Sequence, residues 1–455
     1  MPKAALANLG CKVNQYETEK IADSFIARGF DLTDFDSPAD VYVINTCSVT
    51  SAADRKSRSM ARRASRLSPD AKIVLTGCFA QLALDTSEAV DGASLLVPNR
   101  EKMRTAEHTL NAFPDLVSYS GALSIETGLA KNVIAVFPEE AGLVQLSSLR
   151  EKPEALRRTR ATLKVQDGCE HFCAFCSIPY TRSTMASRKL SAVIEEARQL
   201  ADEGVLEIVV TGVCVGAYDD GTAKLPELIR HLSKIDSIKR VRVSSIQPIE
   251  TSMELIDAVA ESSNAAAHLH LSLQSGDDLV LKAMQRPYDA DYFRDLVARI
   301  RQQIPNIGLT TDVIVGFPGE SDECFERSKA FCAEINFART HVFRYSPRQR
   351  TFAEQNLFDS VPHAVKEGRH KELSLAAKES QRSFASRYIG QVVDVLVEGR
   401  GLKEGFLAGY TGNYIRVHFP AHSDAHRSMV KVIINEVNED GEAQGTITGP
   451  TESYL

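Results

Sequence analysis

The stretch Ala161-Thr-Leu-Lys-Val-Gln-Asp-Gly-Cys169-Glu-His-Phe-Cys173-Ala-Phe-Cys176 joins an apolar strand to a loop that carries three cysteines. Their C-x3-C-x2-C spacing suits three thiolate ligands of a [4Fe-4S] cluster. Three ligands leave the fourth iron open, and an open position separates a catalytic metal centre from a structural one. A zinc site and ordinary buried thiols are the alternatives. Zinc sites usually pair C-x2-C with a second pair or with histidines, and His171 lies inside the loop, where it could hardly complete one.

The same strand begins a repeating pattern that extends from residue 155 to residue 386. Six strand candidates alternate there with helical stretches: ATLKVQ, LEIVVTG, RVRVSSI, AHLHLSL, IGLTTDVIVG and THVFRYS. Alternating strands and helices predict a parallel sheet, and six repeats predict a partial (β/α)6 barrel. Such barrels carry their chemistry on the loops that follow the strands, which is where the three cysteines lie.

Residues 1–125 show the same alternation on a smaller scale. The strands ALANLG, VYVINTC and KIVLTGC are followed by helical stretches at 17–27, 52–66 and 81–89, which predicts an N-terminal α/β domain with a parallel sheet. Each strand ends at or next to a cysteine: Cys11, Cys47 and Cys78. Because the carboxyl ends of parallel strands form one edge, these thiols are expected to converge on a second [4Fe-4S] cluster. Unrelated buried cysteines and a catalytic disulfide are the alternatives.

The C-terminal segment, residues 387–455, changes character. Its β-branched segments QVVDVLVEG, FLAGYTGNYIRVHFP, MVKVIINEVN and QGTITG are separated by Gly, Asn and Asp, which predicts a small all-β barrel. Residues 126–154 are assigned to a linker. The chain is therefore expected to be an α/β protein with an N-terminal parallel-sheet domain, a central partial barrel and a C-terminal all-β barrel.

The composition indicates the class of protein and the cellular compartment to be expected. It is 43% hydrophobic and 25% charged, as soluble globular proteins are, and contains no apolar run of about 18 residues. The N-terminus lacks the apolar segment of a secretory signal, so we expect a cytoplasmic protein without a membrane partner. Cysteines in that compartment are expected to be thiols or metal ligands, and Cys214, Cys324 and Cys332 are expected to be core thiols. No signal for oligomerisation is visible, and a monomer is the expectation.

The net charge of −7 disfavours a general nucleic-acid binder, but basic residues cluster locally. The predicted RNA contacts are Arg55, Lys56, Arg58, Arg62 and Arg63 in the second helical stretch and Arg400, Lys403 and Arg416 in the C-terminal barrel. Tyr410, Tyr414 and Phe419 are the candidates for stacking on bases. A solvated helix face is the alternative for the first group. The C-terminal segment also holds nine acidic residues against six basic ones, so any RNA contact there must be local.

With these motifs established, the chain resembles the radical S-adenosylmethionine (SAM) methylthiotransferases along nearly its whole length. Phe175, directly before the third cysteine, is similar to the signature aromatic of the radical SAM superfamily. The matching segments, in chain order, are LGCKVNQYETE (9–19), INTCSVT (44–50), LTGC (75–78), QDGCEHFCAFCSIPYTR (166–182), HLSLQSGDD (270–278) and TTDVIVGFPGE (310–320). The C-terminal barrel is similar to the TRAM domain with which the family holds RNA.

The resemblance implies a division of labour between the cysteines. Cys169, Cys173 and Cys176 are expected to carry the cluster that binds SAM, and Cys11, Cys47 and Cys78 an auxiliary cluster that delivers sulfur. Both clusters are then expected to face one cavity. The predicted SAM contacts are Phe175, Gly212, Ser272, Gln274, Asp312 and Gly316; a turn role is the alternative for the glycines. No catalytic residue beyond the cluster ligands is predicted. The implied partners are the anticodon loop of tRNA and an electron donor such as flavodoxin or ferredoxin.

Within the family, the segment from Cys11 to Glu19 resembles the branch that adds a methylthio group to C2 of N6-threonylcarbamoyladenosine at position 37 of tRNA. The alternatives are action on isopentenyladenosine-37 of tRNA and action on an aspartate of a ribosomal protein. A non-catalytic iron–sulfur RNA-binding protein is an alternative of another class. Arg344 and Arg182 are candidates for binding the threonyl carboxylate.

Four positions depart from the family pattern. Ser183 stands where glycine is common, Cys214 where His or Asn is expected, Gln247 where Glu is usual, and Gln349-Arg350 where Pro-Gly is usual. None of them is expected to touch a cluster ligand, although Cys214 is close enough to the predicted SAM strand for a cofactor contact. Ser183 and Gln349-Arg350 put the loop geometry near the substrate in doubt.

Overall fold

The computed structural model describes residues 1–117, 159–420 and 427–448. These ranges form an N-terminal parallel sheet, a central open barrel and a C-terminal closed barrel, which confirms the predicted α/β architecture. The predicted linker at 126–154 lies outside the described residues, and the domain boundaries remain predictions. None of the helices in these ranges is long and apolar enough to cross a membrane.

The N-terminal domain is a five-stranded parallel sheet in the order β2-β1-β3-β4-β5. Its elements are β1 Lys3–Asn8, α1 Lys12–Ile26, β2 Asp31–Thr33, β3 Val41–Thr46, α2 Ser51–Leu67, β4 Lys72–Gly77, α3 Cys78–Asp85, β5 Leu95–Leu96 and α4 Thr105–Ala112. Helix α1 begins five residues earlier than predicted, because it starts directly after Cys11. Strand β3 is buried throughout: Val41 and Val43 face one apolar core, Tyr42 and Ile44 the other.

The central domain carries the six predicted strands, the third of them split into two short ones. Its strands are β6 Arg160–Asp167, β7 Ala186–Ser187, β8 Glu207–Gly212, β9 Arg240–Val243, β10 Ser245–Ile246, β11 His268–Leu271, β12 Gly308–Val315 and β13 Arg339–Arg344. Its helices are α5 Ile178–Thr181, α6 Leu190–Asp202, α7 Leu225–Leu232, α8 Met253–Glu261, α9 Asp278–Ala283, α10 Ala290–Gln303, α11 Asp322–Ile335, α12 Phe352–Asn356 and α13 His363–Ser386.

The central barrel is open on one side. Its parallel strands run in the orders β6-β8-β9 and β10-β11-β12-β13, and only Ser244 separates β9 from β10. Strands β6 and β13 are therefore the two edges of the opening. Helix α1 of the N-terminal domain lies at the β6 edge, where Glu17 Oε1 accepts a hydrogen bond from Lys164 Nζ at 2.6 Å.

The inner face of this barrel carries many charged side chains. Alternate residues of the strands join the apolar core under the helices, among them Leu163, Val241, Leu269 and Val313. Side chains alternate between the two faces of a strand, so the intervening positions point inward. The charged and histidine side chains among those positions are Arg160 and Lys164 on β6, Glu207 on β8, Arg240 and Arg242 on β9, His268 and His270 on β11, and Asp312 on β12. A charged lining suits a polar ligand better than an apolar one.

The C-terminal domain is a closed barrel in the order β14-β15-β16-β18-β17. Its strands are β14 Val392–Arg400, β15 Phe406–Thr411, β16 Arg416–Pro420, β17 Met429–Val437 and β18 Ala443–Ile447. The predicted segment FLAGYTGNYIRVHFP is thus two strands, joined by a turn in which Tyr414 has a φ of +73°. Helix α13 ends against this barrel, because Phe384 and Tyr388 belong to its apolar core.

The C-terminal barrel docks onto the amino ends of the central strands through the turn between β15 and β16. Arg242 donates to the carbonyls of Thr411 and Gly412 at 3.2 and 3.0 Å, and the Tyr414 ring stacks on His268 with centroids 4.6 Å apart. Phe419 is fully buried in the core of the C-terminal barrel. The prediction that Tyr414 and Phe419 stack on bases is therefore wrong, because one ring packs in the domain interface and the other in the core.

Candidate active site

The first set of thiols lies at one edge of the N-terminal sheet. Cys11 precedes α1, Cys47 follows β3 and Cys78 begins α3 directly after β4. Because β1, β3 and β4 are neighbours in parallel register, their carboxyl ends bring the three residues to the same edge. Burial raises the pKa of Cys47 to about 11, and the neighbouring Cys78 and Cys11 thiols add to the rise. The predicted convergence is therefore present in the structure.

Two glycines allow the residues at this edge of the sheet to pack closely together. Gly10 has a φ of +94°, and a Cβ there would lie 2.6 Å from Cys47 Sγ. Gly77 has the same φ, and its Cβ would lie 2.4 Å from the Thr46 carbonyl oxygen. Glycine adopts this left-handed conformation without steric cost, whereas a side chain at Gly10 would displace Cys47 and one at Gly77 would meet the backbone of Thr46. The glycines before Cys11 and Cys78 are thus part of the geometry that holds the thiols.

The second set of thiols lies on the loop between β6 and α5. Cys173 is buried, and its Sγ accepts a hydrogen bond from Arg286 Nη1 at 3.0 Å. The loop is held from both sides, because the Ala174 N–H donates to the Met284 carbonyl and the Ala174 carbonyl accepts from the Ala353 N–H. Burial raises the pKa of Cys176 to about 12, with contributions from Cys173 and Cys169. Both sets consist of free thiols, and three soft donors each fit a [4Fe-4S] cluster with one open iron.

A fourth thiol lies beside the second set. The donor atoms of Cys169, His171 and Cys214 lie within 4.8 Å of one another. Glu250 Oε1 accepts from Cys214 Sγ at 2.8 Å and lies 2.6 Å from His171 Nε2. A hydrogen bond with Cys214 lowers the pKa of Cys169 to about 6. The expectation that no departing position touches a cluster ligand is therefore wrong for Cys214, because β8 brings it to the Cys169 side of the loop.

A cavity of about 190 Å³ lies between the segment that follows Cys47 and the second cysteine loop. The N-terminal domain contributes Val49 and Thr50, two and three residues after Cys47, and the second cysteine loop contributes Phe175 and Cys176. The barrel strands complete the wall with Gln274, Asp312, Ile314 and Arg344. The segment after Cys47 and the second cysteine loop therefore border the same cavity, and Cys176 is the cysteine that lines it.

The six predicted SAM contacts divide into two groups. Phe175, Gln274 and Asp312 line this cavity. Gly212 packs against Gln166, the Ser272 carbonyl accepts from Arg286 and Tyr288, and Gly316 packs against Lys366. The second group lies outside the cavity lining, and its role stays a prediction.

Three other residues that differ from the family pattern, Ser183, Gln247 and Arg350, lie in different surroundings. Arg350 has a φ of +70° where the family has glycine, and its guanidinium pairs with Asp85 at 2.5 Å and lies over the Tyr180 ring. The ion pair links α3 to the central domain. A positive φ is a strained conformation for a residue other than glycine. Ser183 and Arg350 line a surface cleft of about 860 Å³. Gln247 Oε1 is buried without a hydrogen-bond partner among the described residues.

A buried ion network joins the N-terminal and central domains beside the first set of thiols. Glu17 is 1% exposed and contacts Lys102, Lys164 and Arg182 at 2.6 to 3.0 Å. Burial raises the pKa of Glu17, but Arg182, Lys102 and Lys164 outweigh it and hold the pKa well below its usual range. Arg182 also pairs with Asp167, so it is not available to a substrate carboxylate and that prediction is wrong.

The predicted RNA contacts lie in two regions. On α2, Arg55, Lys56 and Arg62 are exposed, whereas Arg58 pairs with Glu88 and Arg63 with Asp36. Arg55 also lines a cleft of about 500 Å³ together with Arg344, next to the cavity. In the C-terminal barrel, Arg400 is the last residue of β14, Lys403 is exposed, and Arg416 lies 3.3 Å from Glu442. Their contact with RNA stays a prediction.

Sequence reasoning missed several residues around the second set of thiols: Glu250, Arg286 and the hydrogen-bonding role of Cys214. Glu250 lies 36 residues from Cys214, and Arg286 lies 113 residues from Cys173. No local pattern marks either one. The departure at Cys214 from the family pattern was the one signal that pointed to this cluster.

Family models match three parts of the chain. Residues 3–97 match Uncharacterized protein family UPF0004, residues 163–332 match the Radical SAM superfamily and residues 386–448 match the TRAM domain. The three matches fall on the N-terminal sheet, the central barrel and the C-terminal barrel.

Two curated relatives match over nearly the whole chain. The threonylcarbamoyladenosine tRNA methylthiotransferase MtaB of Bacillus subtilis (strain 168) is 36% identical over 440 residues, which cover 95% of this chain and 94% of the relative. The tRNA-2-methylthio-N(6)-dimethylallyladenosine synthase of Bacillus pumilus (strain SAFR-032) is 34% identical, with 97% and 86% covered. Among solved structures, the radical S-adenosylmethionine methyltransferase TsrM from Kitasatospora setae has a TM-score of 0.54 at 16% identity, covering 78% of this chain and 74% of that one. That likeness concerns the fold alone.

Proposed function

The chain belongs to the radical SAM methylthiotransferase family, and on that premise we propose that it adds a methylthio group to C2 of N6-threonylcarbamoyladenosine at position 37 of tRNA. The observation that carries the proposal is the cavity that is bordered by Cys176 of one set of three thiols and by Val49 and Thr50, which lie two and three residues after Cys47 of the other set. Insertion of sulfur at an aromatic C–H requires a hydrogen-abstracting radical and a separate source of sulfur. Two sets of ligands, one of which lines the cavity through Cys176 while the other precedes Val49 and Thr50 on its wall, would provide for both.

The cofactors of the family are SAM and two [4Fe-4S] clusters, which supply the radical, the methyl group and the site of sulfur delivery. Cys169, Cys173 and Cys176 would hold one cluster, and Cys11, Cys47 and Cys78 the other. The protein keeps water from the reacting atoms and fixes their positions. Phe175, Gln274 and Asp312, which line the cavity, are the proposed SAM contacts, together with Gly212, Ser272 and Gly316 on the resemblance alone.

The relatives support the threonylcarbamoyl substituent over the dimethylallyl one, because the two threonylcarbamoyladenosine tRNA methylthiotransferases are 36% and 35% identical to this chain. A threonylcarbamoyl group carries a carboxylate and a hydroxyl, which Arg344 and Asp312 on the cavity wall can hydrogen-bond. A dimethylallyl group could contact only the apolar part of that wall, which includes Phe175 and Ile314. Isopentenyladenosine-37 is therefore the second candidate substrate, and an aspartate of a ribosomal protein the third.

The proposed partners follow from the substrate. We infer that the chain binds the anticodon loop of tRNA, works in the cytoplasm as a monomer, and receives electrons from a flavodoxin or ferredoxin. The TRAM match and the tRNA-modifying relatives support the RNA partner. The exposed basic residues of α2 begin next to the cavity, where an RNA backbone would pass.

Replacing the exposed basic residues of α2 with glutamate should weaken RNA binding, and the loss should depend on salt concentration. We expect the triple change Arg55→Glu, Lys56→Glu and Arg62→Glu to lower tRNA affinity at least about tenfold at physiological salt and to flatten the dependence of affinity on salt. A charge-matched control changes Arg198, Lys234 and Lys282, which are exposed on the outer helices or just after one of them. Fluorescence anisotropy against salt measures both variants. Equal losses in the two would mean that net charge, and not this helix, determines binding.

Removal of the Cys214 thiol should change the cluster beside it. Cys214 has one S–H proton, for which Glu250 Oε1 and the Cys169 sulfur compete. A proton donated to the ligand sulfur stabilises the reduced cluster, so Cys214→Ala is expected to lower its midpoint potential by about 20–60 mV. An EPR-monitored redox titration measures the shift. Cys332→Ala is the control, because Cys332 is also buried but lies in α11, in the apolar core. The same potential in wild type and Cys214→Ala would contradict a role for Cys214.

The proposed function is tested with hairpin RNAs that share one anticodon-loop sequence. The protein, reconstituted anaerobically with iron and sulfide, receives SAM, a reductant and hairpins that carry N6-threonylcarbamoyladenosine, isopentenyladenosine or adenosine. Mass spectrometry of the released nucleosides is expected to show a methylthio group only on the threonylcarbamoyl nucleoside. A product from isopentenyladenosine alone would move the chain to the other branch. No product from any hairpin would overturn the proposal.

A further inference from the structure

One phenylalanine of the central barrel lies where the cavity of about 190 Å³ meets the neighbouring cleft of about 500 Å³. Phe343, near the carboxyl end of β13, lines both spaces and is 43% exposed. Strand β13 is an edge of the barrel opening and pairs with β12 on its other side. The ring therefore forms a partition between two spaces that are open to a ligand.

The ring of Phe343 points to the inner side of the barrel. His341, two residues earlier, lies on the same face of β13, and its ring is 6.1 Å from that of His270 on the inner wall. Val342, between them, packs against the apolar core under the helices. Because side chains alternate along a strand, Phe343 follows the direction of His341 and not that of Val342. It thus stands at the carboxyl end of the inner wall, where the cavity opens.

Contacts between two domains fix the position of this partition. Ser51 Oγ at the start of α2 lies 2.8 Å from Ser346 Oγ, and the Ser51 N–H donates to the same oxygen at 3.2 Å. Arg348 Nη2 donates to Ser48 Oγ at 2.9 Å. These bonds hold the segment after β13 against the N-terminal domain. Phe343 is therefore positioned before a substrate arrives, which lowers the entropic cost of using it for binding.

The cleft beyond Phe343 carries an excess of positive charge. Arg55 lines it, is exposed, and makes no hydrogen bond or ion pair with any residue that the structure describes. Asp359 is the carboxylate in the lining, and both of its oxygens accept a hydrogen bond from Lys366 at 2.7 Å. The charge of that acid is thereby balanced, which leaves Arg55 available to an anion. A phosphate of an RNA backbone is such an anion.

A base in an RNA loop must leave its stack before it can enter an enclosed cavity. Enzymes that modify bases extrude the target nucleotide, which then loses its stacking on the neighbouring bases. An apolar side chain that inserts at the vacated position covers the face of the base that stays behind. Stacking on an aromatic ring tolerates any base, because every base has a flat π face. Phe343, between the cavity and a cationic cleft, has the position and the chemistry for this role.

We propose that Phe343 fills the place in the RNA stack that the adenosine at position 37 leaves when it enters the cavity, an inference that rests on the proposed function. The target base lies in the cavity on one side of the ring. The neighbouring nucleotide lies in the cleft on the other side, with its base against the ring and its phosphate at Arg55. The ring therefore stabilises the extruded state of the RNA.

The test is a double-mutant cycle between Phe343 and the neighbouring base. Three hairpin RNAs carry N6-threonylcarbamoyladenosine: one is intact, one lacks the base before the target, and one lacks the base after it. Fluorescence anisotropy at fixed salt gives their dissociation constants with the reconstituted protein and SAM, without a reductant. Phe343→Ala is expected to weaken binding of the intact hairpin about tenfold and to have no effect on one of the two hairpins that lack a base.

Three further variants serve as controls. Phe343→Tyr keeps the ring and should retain the wild-type constants, whereas Phe343→Leu has no flat face and should bind the intact hairpin nearly as weakly as Phe343→Ala. Phe352→Ala is the matched control, because Phe352 of α12 is 40% exposed and lines neither the cavity nor the cleft. Its loss should leave all three constants unchanged. The affinity for SAM, measured by equilibrium dialysis without RNA, should be the same in wild type and Phe343→Ala.

The outcomes separate the inference from the proposed function. If Phe343→Ala binds the intact hairpin as wild type does, or loses affinity equally for all three hairpins, the stacking role is overturned. A tenfold loss of SAM affinity in Phe343→Ala would assign the ring to the cofactor and overturn it as well. In each case, conversion of the intact hairpin by reduced wild type would leave the proposed function standing. A wild type that converts no hairpin would overturn the proposed function and, with it, the inference.

Discussion

Changing Cys47 to alanine is expected to abolish methylthiolation of the threonylcarbamoyl hairpin and to lower bound iron from about eight to about four atoms per chain. Cys47 is the central thiol of its set: it follows β3, is 6% exposed, and packs against Gly10. The second set lies on another loop with its own supports, so it should keep its cluster. Cleavage of SAM to 5′-deoxyadenosine should therefore remain measurable when product is gone.

The control for this experiment is Cys332→Ala. Cys332 is equally buried, but it lies in α11, and burial alone raises its pKa to about 12. Its loss should leave both iron content and product unchanged. Methylthiolated product from Cys47→Ala at the wild-type rate would show that the N-terminal thiols are structural. Loss of all iron would show that the two sets do not assemble independently.

Much of this site is predictable because its ligands follow strands. Cys11, Cys47 and Cys78 each come directly after or next to a buried strand, and parallel topology places such positions on one edge. The glycines before two of them mark the positive φ values that the packing requires. Local sequence therefore contains both the ligand and the backbone geometry that presents it.

The partners of these residues are not predictable in the same way. Arg182 was a reasonable candidate for a substrate carboxylate, but Glu17, 165 residues earlier, occupies it. Tyr414 looked like an exposed stacking residue until the docking of the C-terminal barrel placed it on His268. In each case the decisive contact forms between domains, and single-sequence periodicity holds no information about which domain faces meet.

Changing Glu17 to glutamine is expected to lower the thermal midpoint of the cluster-free chain by about 5–10 °C. The carboxylate is 1% exposed and contacts three cations, one from its own domain and two from the central domain. Without it, Asp167 alone faces Lys164 and Arg182, and Lys102 loses its ion pair. Removal of one partner from a buried network costs about 3–5 kcal/mol, because the remaining charges stay desolvated.

The control for Glu17 is Glu107→Gln, which removes an exposed pair with Arg104 and should shift the midpoint by less than about 2 °C. The two changes also differ in their response to pH. Because the folded pKa of Glu17 lies well below its ordinary value of 4.5, its contribution is complete above that value and declines as pH falls toward the folded pKa. The difference between wild type and Glu17→Gln should therefore be constant near neutral pH and shrink below about pH 4.5. A difference that stayed the same under acid would mean that Glu17 acts through packing and not through its charge.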